Sequence, residues 1–161
     1  VVDIEARGTR TIPLADAQRY IKNYFARLTG VTRFIDTTLA EARRQGFVAT
    51  LLNRRRYLPE LSSGDDNLRA FAERTAINTP VQGSAADLIK LAMIRLEERL
   101  VAKKLPAAMI LQVHDELVFE ADASAAEEAA AEIKAEMESV MPLAVPLLVD
   151  SRIGASWAET H

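Results

Sequence analysis

The segment Met109–Glu120 reads M-I-L-Q-V-H-D-E-L-V-F-E, and it limits what the chain can become more than any other. Apolar residues run up to His114-Asp115-Glu116 and resume at Leu117-Val118-Phe119. An imidazole and two carboxylates inside an apolar run are costly to bury unless something pairs with them. A divalent cation, a nucleic-acid phosphate or a sharp solvent-exposed turn can each do so. The flanks Met109–Val113 and Leu117–Glu120 read as two strands of a tight hairpin. Neighbouring side chains on a strand point to opposite faces. Asp115 and Glu116 therefore cannot share one metal unless the turn breaks that alternation. Mg²⁺ prefers one or two carboxylates plus waters and substrate phosphates, so a second carboxylate is expected nearby. Asp87, Asp150 and Asp65-Asp66 are the candidates. Asp87 falls in a first helical turn, where the macrodipole already explains an acid, and the others carry no partner signature. The residues alone describe half a metal site, with a buried or turn-exposed acidic pair as the plainer alternative. His114 is either a satisfied core or turn histidine or, beside a basic surface, a donor to a sugar or base edge.

A chain of 161 residues, 49% apolar and 27% charged, suits one globular domain or a piece of a larger one. Cysteine is absent, and the two histidines are His114 and His161, so disulfides and the usual zinc ligand sets are excluded. No apolar run approaches the roughly 20 residues needed to span a bilayer. The start, V-V-D-I-E-A-R-G-T-R, has no signal-peptide pattern and no initiator Met, as expected of a chain cut from something longer. Residues 1–80 carry 13 Lys+Arg and 9 Asp+Glu, whereas residues 81–161 carry 7 and 14. A basic groove beside a carboxylate site would produce that asymmetry, and so would an ordinary solvated surface.

Pro13 suits the first turn of a helix, and Leu14, Ala17, Ile21, Tyr24/Phe25 and Leu28 recur at helical spacing as far as Thr29-Gly30. A second helix, expected to pack antiparallel to the first, carries Phe34/Ile35, Leu39 and Ala42 and closes at Gln45-Gly46. Phe47–Leu51, Asn53 and Tyr57-Leu58 predict a hairpin with Arg54-Arg55-Arg56 at its tip. Guanidinium forks match phosphate oxygens, although most charge runs are simply solvated. A helix from about Leu68 toward Pro80 and a joint at Val81–Ser84 follow. A long helix then carries Leu88, Ala92, Leu96 and Leu100. After Pro106 comes the opening hairpin. Next is an acidic helix capped by Ser124, its acids read as solvent face, and then a last strand at Leu147–Val149. Trp157 reads as a packing residue. Helices with two hairpins and no repeat indicate an α+β fold. Arg74, Asn78 and Gln82, spaced four apart, stack along one helix face. Their donors suit minor-groove acceptors and sugar atoms.

Two long motifs carry a resemblance. Glu73–Met93, E-R-T-A-I-N-T-P-V-Q-G-S-A-A-D-L-I-K-L-A-M, followed by Leu111–Glu120, L-Q-V-H-D-E-L-V-F-E, resembles the C-terminal palm of family A DNA polymerases, the bacterial DNA polymerase I type. Gly46–Leu61 is similar to the hairpin that precedes it, and P-L-L-V-D-S-R-I-G-A-S-W to the family's terminal segment. Asn53, Ser84 and Asp150-Ser151 are small departures.

The resemblance implies an antiparallel palm sheet with a catalytic hairpin packed against long helices. Residues 1–45 would be a helical pair closing the fingers, and 46–161 part of the palm. It implies DNA-directed DNA polymerisation with two Mg²⁺ ions, Asp115 as a metal ligand and Glu116 as its less essential neighbour. Gln112 and His114 would lie near the primer end. Arg74, Asn78 and Gln82 would touch primer–template DNA in the minor groove, and Arg54, Arg55 and Arg56 would lie along the duplex backbone. The implied partners are primer–template and dNTP. The implied setting is a cytoplasmic, nucleoid-associated bacterial enzyme, with no membrane and no oligomer predicted. The partner aspartate and the dNTP-binding helix would precede residue 1, so the isolated chain is expected to be inactive. The alternatives are a non-catalytic duplex-binding module, a single-subunit RNA polymerase relative, and an unrelated α+β domain with a fortuitous acidic turn.

Overall fold

The computed structural model describes residues 12–160. The chain divides after Val81 into two compact units. No helix among the described residues is long and apolar enough to cross a membrane.

The first unit opens with α1 (Leu14–Arg27) and α2 (Thr29–Gln45), joined by Leu28 alone. Thr29-Gly30 is therefore the first turn of α2 rather than the end of α1. No residue of α1 is buried. Gly46 ends α2 in the left-handed region at φ 79, and its N–H donates to the Ala42 carbonyl at 2.8 Å. That backbone state is open to glycine without a Cβ penalty.

Strands β1 (Phe47–Ala49) and β2 (Arg55–Tyr57) pair antiparallel, with Phe47 opposite Tyr57, Val48 opposite Arg56 and Ala49 opposite Arg55. Asn53 takes φ 61, as its tolerance of left-handed turns predicts. Buried Thr50 holds the turn, its Oγ1 accepting from the Arg54 N–H at 3.1 Å. The tip is thus Leu51-Leu52-Asn53, and Arg55-Arg56 belong to a strand. The expectation of an arginine tip fails because Thr50 and Asn53 close the turn before the arginines begin.

Asp65 caps α3 (Asp66–Asn78) by accepting from the Asn67 and Leu68 N–H groups. Such a cap is worth about 1 kcal/mol. Ala72 and Ala76, one turn apart, are buried with Ala42, Val48, Leu58 and Leu61. Their small side chains let α3 approach α2, and Arg43 pairs with Glu73 at 2.6 Å across that contact. A π-helical turn, Thr79–Gly83, follows α3 where the joint was expected.

The second unit is built on α4 (Ser84–Lys103), hairpin β3 (Ala107–Val113) and β4 (Glu116–Ala121), and α5 (Ala126–Glu138). Ala92 and Leu96 of α4 are buried with Val140, and Met109, Leu117, Phe119 and Ile133 pack around them. Ser124 does not cap α5. A turn closed by the Ala125 N–H on the Asp122 carbonyl carries the chain one residue past it. No strand forms at Leu147–Val149. The Val149 N–H is taken by the Glu138 Oε1 at 3.0 Å, and Leu148 is 81% exposed. Both sheets among the described residues are two-stranded. The fold is α+β, as expected. Trp157 lies in an exposed 3₁₀ turn rather than in a core.

The acids of α5 are not merely solvent face. Glu132 accepts hydrogen bonds from Lys103 and from Arg99, the latter at 3.1 and 3.2 Å, and Glu136 lies 3.9 Å from Arg95. The bond from Lys103, then that from Arg99, hold the Glu132 carboxyl below its ordinary value of 4.5. A carboxyl with a depressed folded pKa contributes stability that is present above its unfolded pKa. That contribution is lost as pH falls through the folded one. The Tm advantage of the wild type over Glu132→Gln is therefore expected at neutral pH and should vanish in acid, below pH 4.5. Thermal scans of both proteins at neutral and acid pH check this. An advantage that persists in acid contradicts it.

Candidate metal and nucleic-acid site

The β3–β4 hairpin turns through His114 and Asp115, with Val113 opposite Glu116. His114 sits at φ 54, a left-handed state in which His, Asn and Asp are enriched over other residues. Both turn residues leave the strands, so the pleat no longer fixes where Asp115 points. This is the broken alternation that a shared use of Asp115 and Glu116 requires.

A bulge between Met109 and Leu111 shifts the alternation of β3 by one residue. Met109 opposite Phe119 and Gln112 opposite Leu117 consequently share one face, although they are three apart. Met109, Leu117 and Phe119 anchor that face on the core with α4. Val113 and Glu116 take the other. The Gln112 carboxamide donates to the His114 carbonyl at 3.1 Å and braces the turn from the anchored side. Gln112, His114, Asp115 and Glu116 are all exposed. Packing from below and solvent at the tip describe a carboxylate held out on a fixed base.

Among the described residues no group of three or more His, Asp or Glu is placed to hold a metal ion. The acids considered as partners have other positions. Asp65 is the α3 cap, and Asp66 pairs with Arg69. Asp87 is buried in the first turn of α4, and Asp150 lies on the exposed terminal segment. The donor set fits one arm of a divalent-cation site and not two.

In the first unit, Arg74 and Asn78 are exposed on the side of α3 opposite the buried Ala72 and Ala76. Packing one stripe of the helix leaves them facing outward together. Gln82 is exposed within the π-helical turn and opens the second unit. Arg54, Arg55 and Arg56 are exposed, but the pleat separates Arg55 from Arg56 onto opposite faces of their hairpin. The Arg55 guanidinium lies 4.6 Å from the centre of the Phe47 ring, a contact the run of arginines did not announce. Two surface hollows in the second unit, one beside Glu97 and Lys104, the other beside Lys134 and Ser151, include none of the candidate residues.

The model of DNA polymerase family A matches residues 6–159. DNA polymerase I of Geobacillus stearothermophilus is 49% identical over 142 residues, which are 88% of this chain and 16% of that protein. DNA polymerase I of Pseudomonas aeruginosa is 47% identical over 146 residues, 91% of this chain and again 16% of the relative. The chain therefore spans about 16% of the length of these curated relatives. Among solved structures, the POL domain of Pol1 from M. smegmatis, in complex with DNA primer-template and dNTP, aligns with a TM-score of 0.80 at 41% identity. That alignment covers 84% of this chain and 24% of the other.

Proposed function

Because the chain belongs to DNA polymerase family A, we propose that it supplies the carboxylate hairpin and DNA-facing elements of a template-directed DNA polymerase. The observation that carries this reading is the exposed Asp115, held at a left-handed turn on a hairpin anchored to α4. The reaction is attack of a primer 3′-OH on the α-phosphate of a dNTP, with pyrophosphate leaving. Divalent cations, Mg²⁺ in the ordinary case, would supply charge neutralisation at the attacking and leaving oxygens when bound. Asp115 is the metal-holding carboxylate of this chain. Glu116, set on the face of β4 away from the core, is its accessory. Gln112 and the His114 backbone fix the turn.

Arg74, Asn78 and Gln82 present donors to minor-groove acceptors and sugars, and Arg54–Arg56 meet phosphates. The neighbouring Pol1 domain's complex with primer-template and dNTP supports these as partners. One arm of the metal site is present, so the 161-residue polypeptide assayed by itself is expected to give no primer extension.

Titration of primer–template binding against salt tests the DNA-facing part. A negative slope of log K against log[salt] is expected, becoming shallower by roughly 0.9 for each phosphate contact removed. The triple variant Arg54→Ala, Arg55→Ala, Arg56→Ala is the comparison. A wild-type slope near zero would contradict phosphate binding by these arginines. Extension by the polypeptide alone, free of contaminating polymerase, would contradict the half-site.

A further inference from the structure

The outer face of the β1–β2 hairpin carries more than arginines. Val48 and Leu58 are buried on one side of it. By the strand alternation, Phe47, Ala49, Arg55 and Tyr57 occupy the other. Phe47 and Tyr57 are directly opposite, their ring centres 5.6 Å apart and their planes tilted by 58°. Arg55 covers the Phe47 ring. Tyr57 is 67% exposed. A single exposed tyrosine is ordinary on any surface. This one lies beside a ring already stacked under a guanidinium, on a strand backed by the core, directly after three consecutive arginines.

We propose that this face is a base-stacking platform for single-stranded nucleic acid, with Tyr57 as the stacking ring and Arg55, on the same face, as the phosphate contact beside it. Every base has a π-face, so a rigid exposed ring beside cations binds a single strand with little regard to sequence. Phe47 packs against Tyr57 across the strand pair, and that contact lowers the ordering cost of stacking a base on the exposed ring. The occupant is argued from charge as well as shape, since Arg54-Arg55-Arg56 would repel a basic partner and suit the phosphates of a strand. The inference extends the nucleic-acid reading given above, but to a single strand and to residues outside the carboxylate hairpin.

The test measures binding of three labelled probes to the intact chain at one salt concentration. They are oligo-dT, an abasic oligonucleotide of equal length, and a blunt-ended DNA duplex. The abasic strand has the same phosphates and no bases. Oligo-dT is expected to bind about tenfold more tightly than the abasic strand, in keeping with stacking of a base or two. Tyr57→Ala should bring oligo-dT down to the abasic level, and Tyr57→Phe should stay within about twofold of wild type, since the phenyl ring keeps the stack. Duplex affinity should be unchanged in both variants. Circular dichroism melts of both variants report that the hairpin still folds. Equal binding of oligo-dT and abasic strand by the wild type would overturn the proposal. So would an unaffected Tyr57→Ala, or a Tyr57→Phe as weak as Tyr57→Ala. Loss of duplex binding with retained base discrimination would instead count against the duplex reading and leave this one standing.

Discussion

Asp115→Ala is expected to lower kcat about 10³-fold in a hybrid polymerase, corresponding to roughly 4 kcal/mol of lost transition-state stabilisation. In that hybrid the present chain replaces the matching portion of the M. smegmatis Pol1 POL domain, to which it aligns over 84% of its length. The magnitude follows from the position of the side chain. Asp115 is exposed at a turn and buries nothing, so its removal costs the fold little. A cation bound there would lose a protein carboxylate, and Mg²⁺ replaces a lost ligand with water at the expense of geometry. Primer–template affinity should not fall, because the lost group is an anion. Glu116→Ala should cost less than Asp115→Ala, since β4 sets Glu116 apart from the turn. Single-turnover extension with a titration of primer–template separates the two effects. Equal losses at Asp115 and Glu116, or a loss confined to binding, would contradict the assignment of roles.

Leu96→Ala is the second large effect, and it acts on the base beneath the turn. Leu96 is fully buried on α4, between Ala92 and Val140 and among the side chains that descend from the β3–β4 hairpin. Truncating a leucine at such a site removes its transfer free energy and leaves a cavity, together about 2–5 kcal/mol. Small domains have only about 5–15 kcal/mol of stability, so a large share is lost. Urea denaturation followed by circular dichroism should show a lower midpoint at an unchanged slope. A loss below about 1 kcal/mol would mean that the α4 core closes around the gap. The hairpin would then not depend on Leu96 for its support.

The local elements were legible because their signals are local. Gly46 stops α2 and Asn53 turns the first hairpin, since few residues accept a left-handed backbone. The second hairpin followed from apolar flanks around three polar residues. The polymerase resemblance, confirmed at the level of family, rested on two motifs of fixed separation.

What stayed hidden depends on contacts distant in sequence. The last strand expected at Leu147–Val149 does not form because a side chain, Glu138, claims the Val149 N–H. The acids of α5 looked solvated because nothing local marks Arg99 and Lys103, about thirty residues earlier, as their partners. The run of arginines reads as a tip because Thr50 does not announce that its hydroxyl closes the turn. The bulge at Ile110 shifts the face on which Gln112 lies, and an alternating apolar pattern gives no sign of it. No acid among the described residues joins Asp115 and Glu116 in a metal-holding group.

The most direct test of Asp115 as a metal-holding residue is metal rescue of Asp115→Cys in the hybrid polymerase. A thiolate binds softer cations in preference to Mg²⁺. The variant is therefore expected to be nearly inactive with Mg²⁺ and to recover at least about tenfold when Mn²⁺ or Cd²⁺ replaces it. The parent hybrid should show no such gain. A folded Asp115→Cys hybrid that binds primer–template but extends it equally poorly with every cation would contradict the claim that this side chain holds the metal.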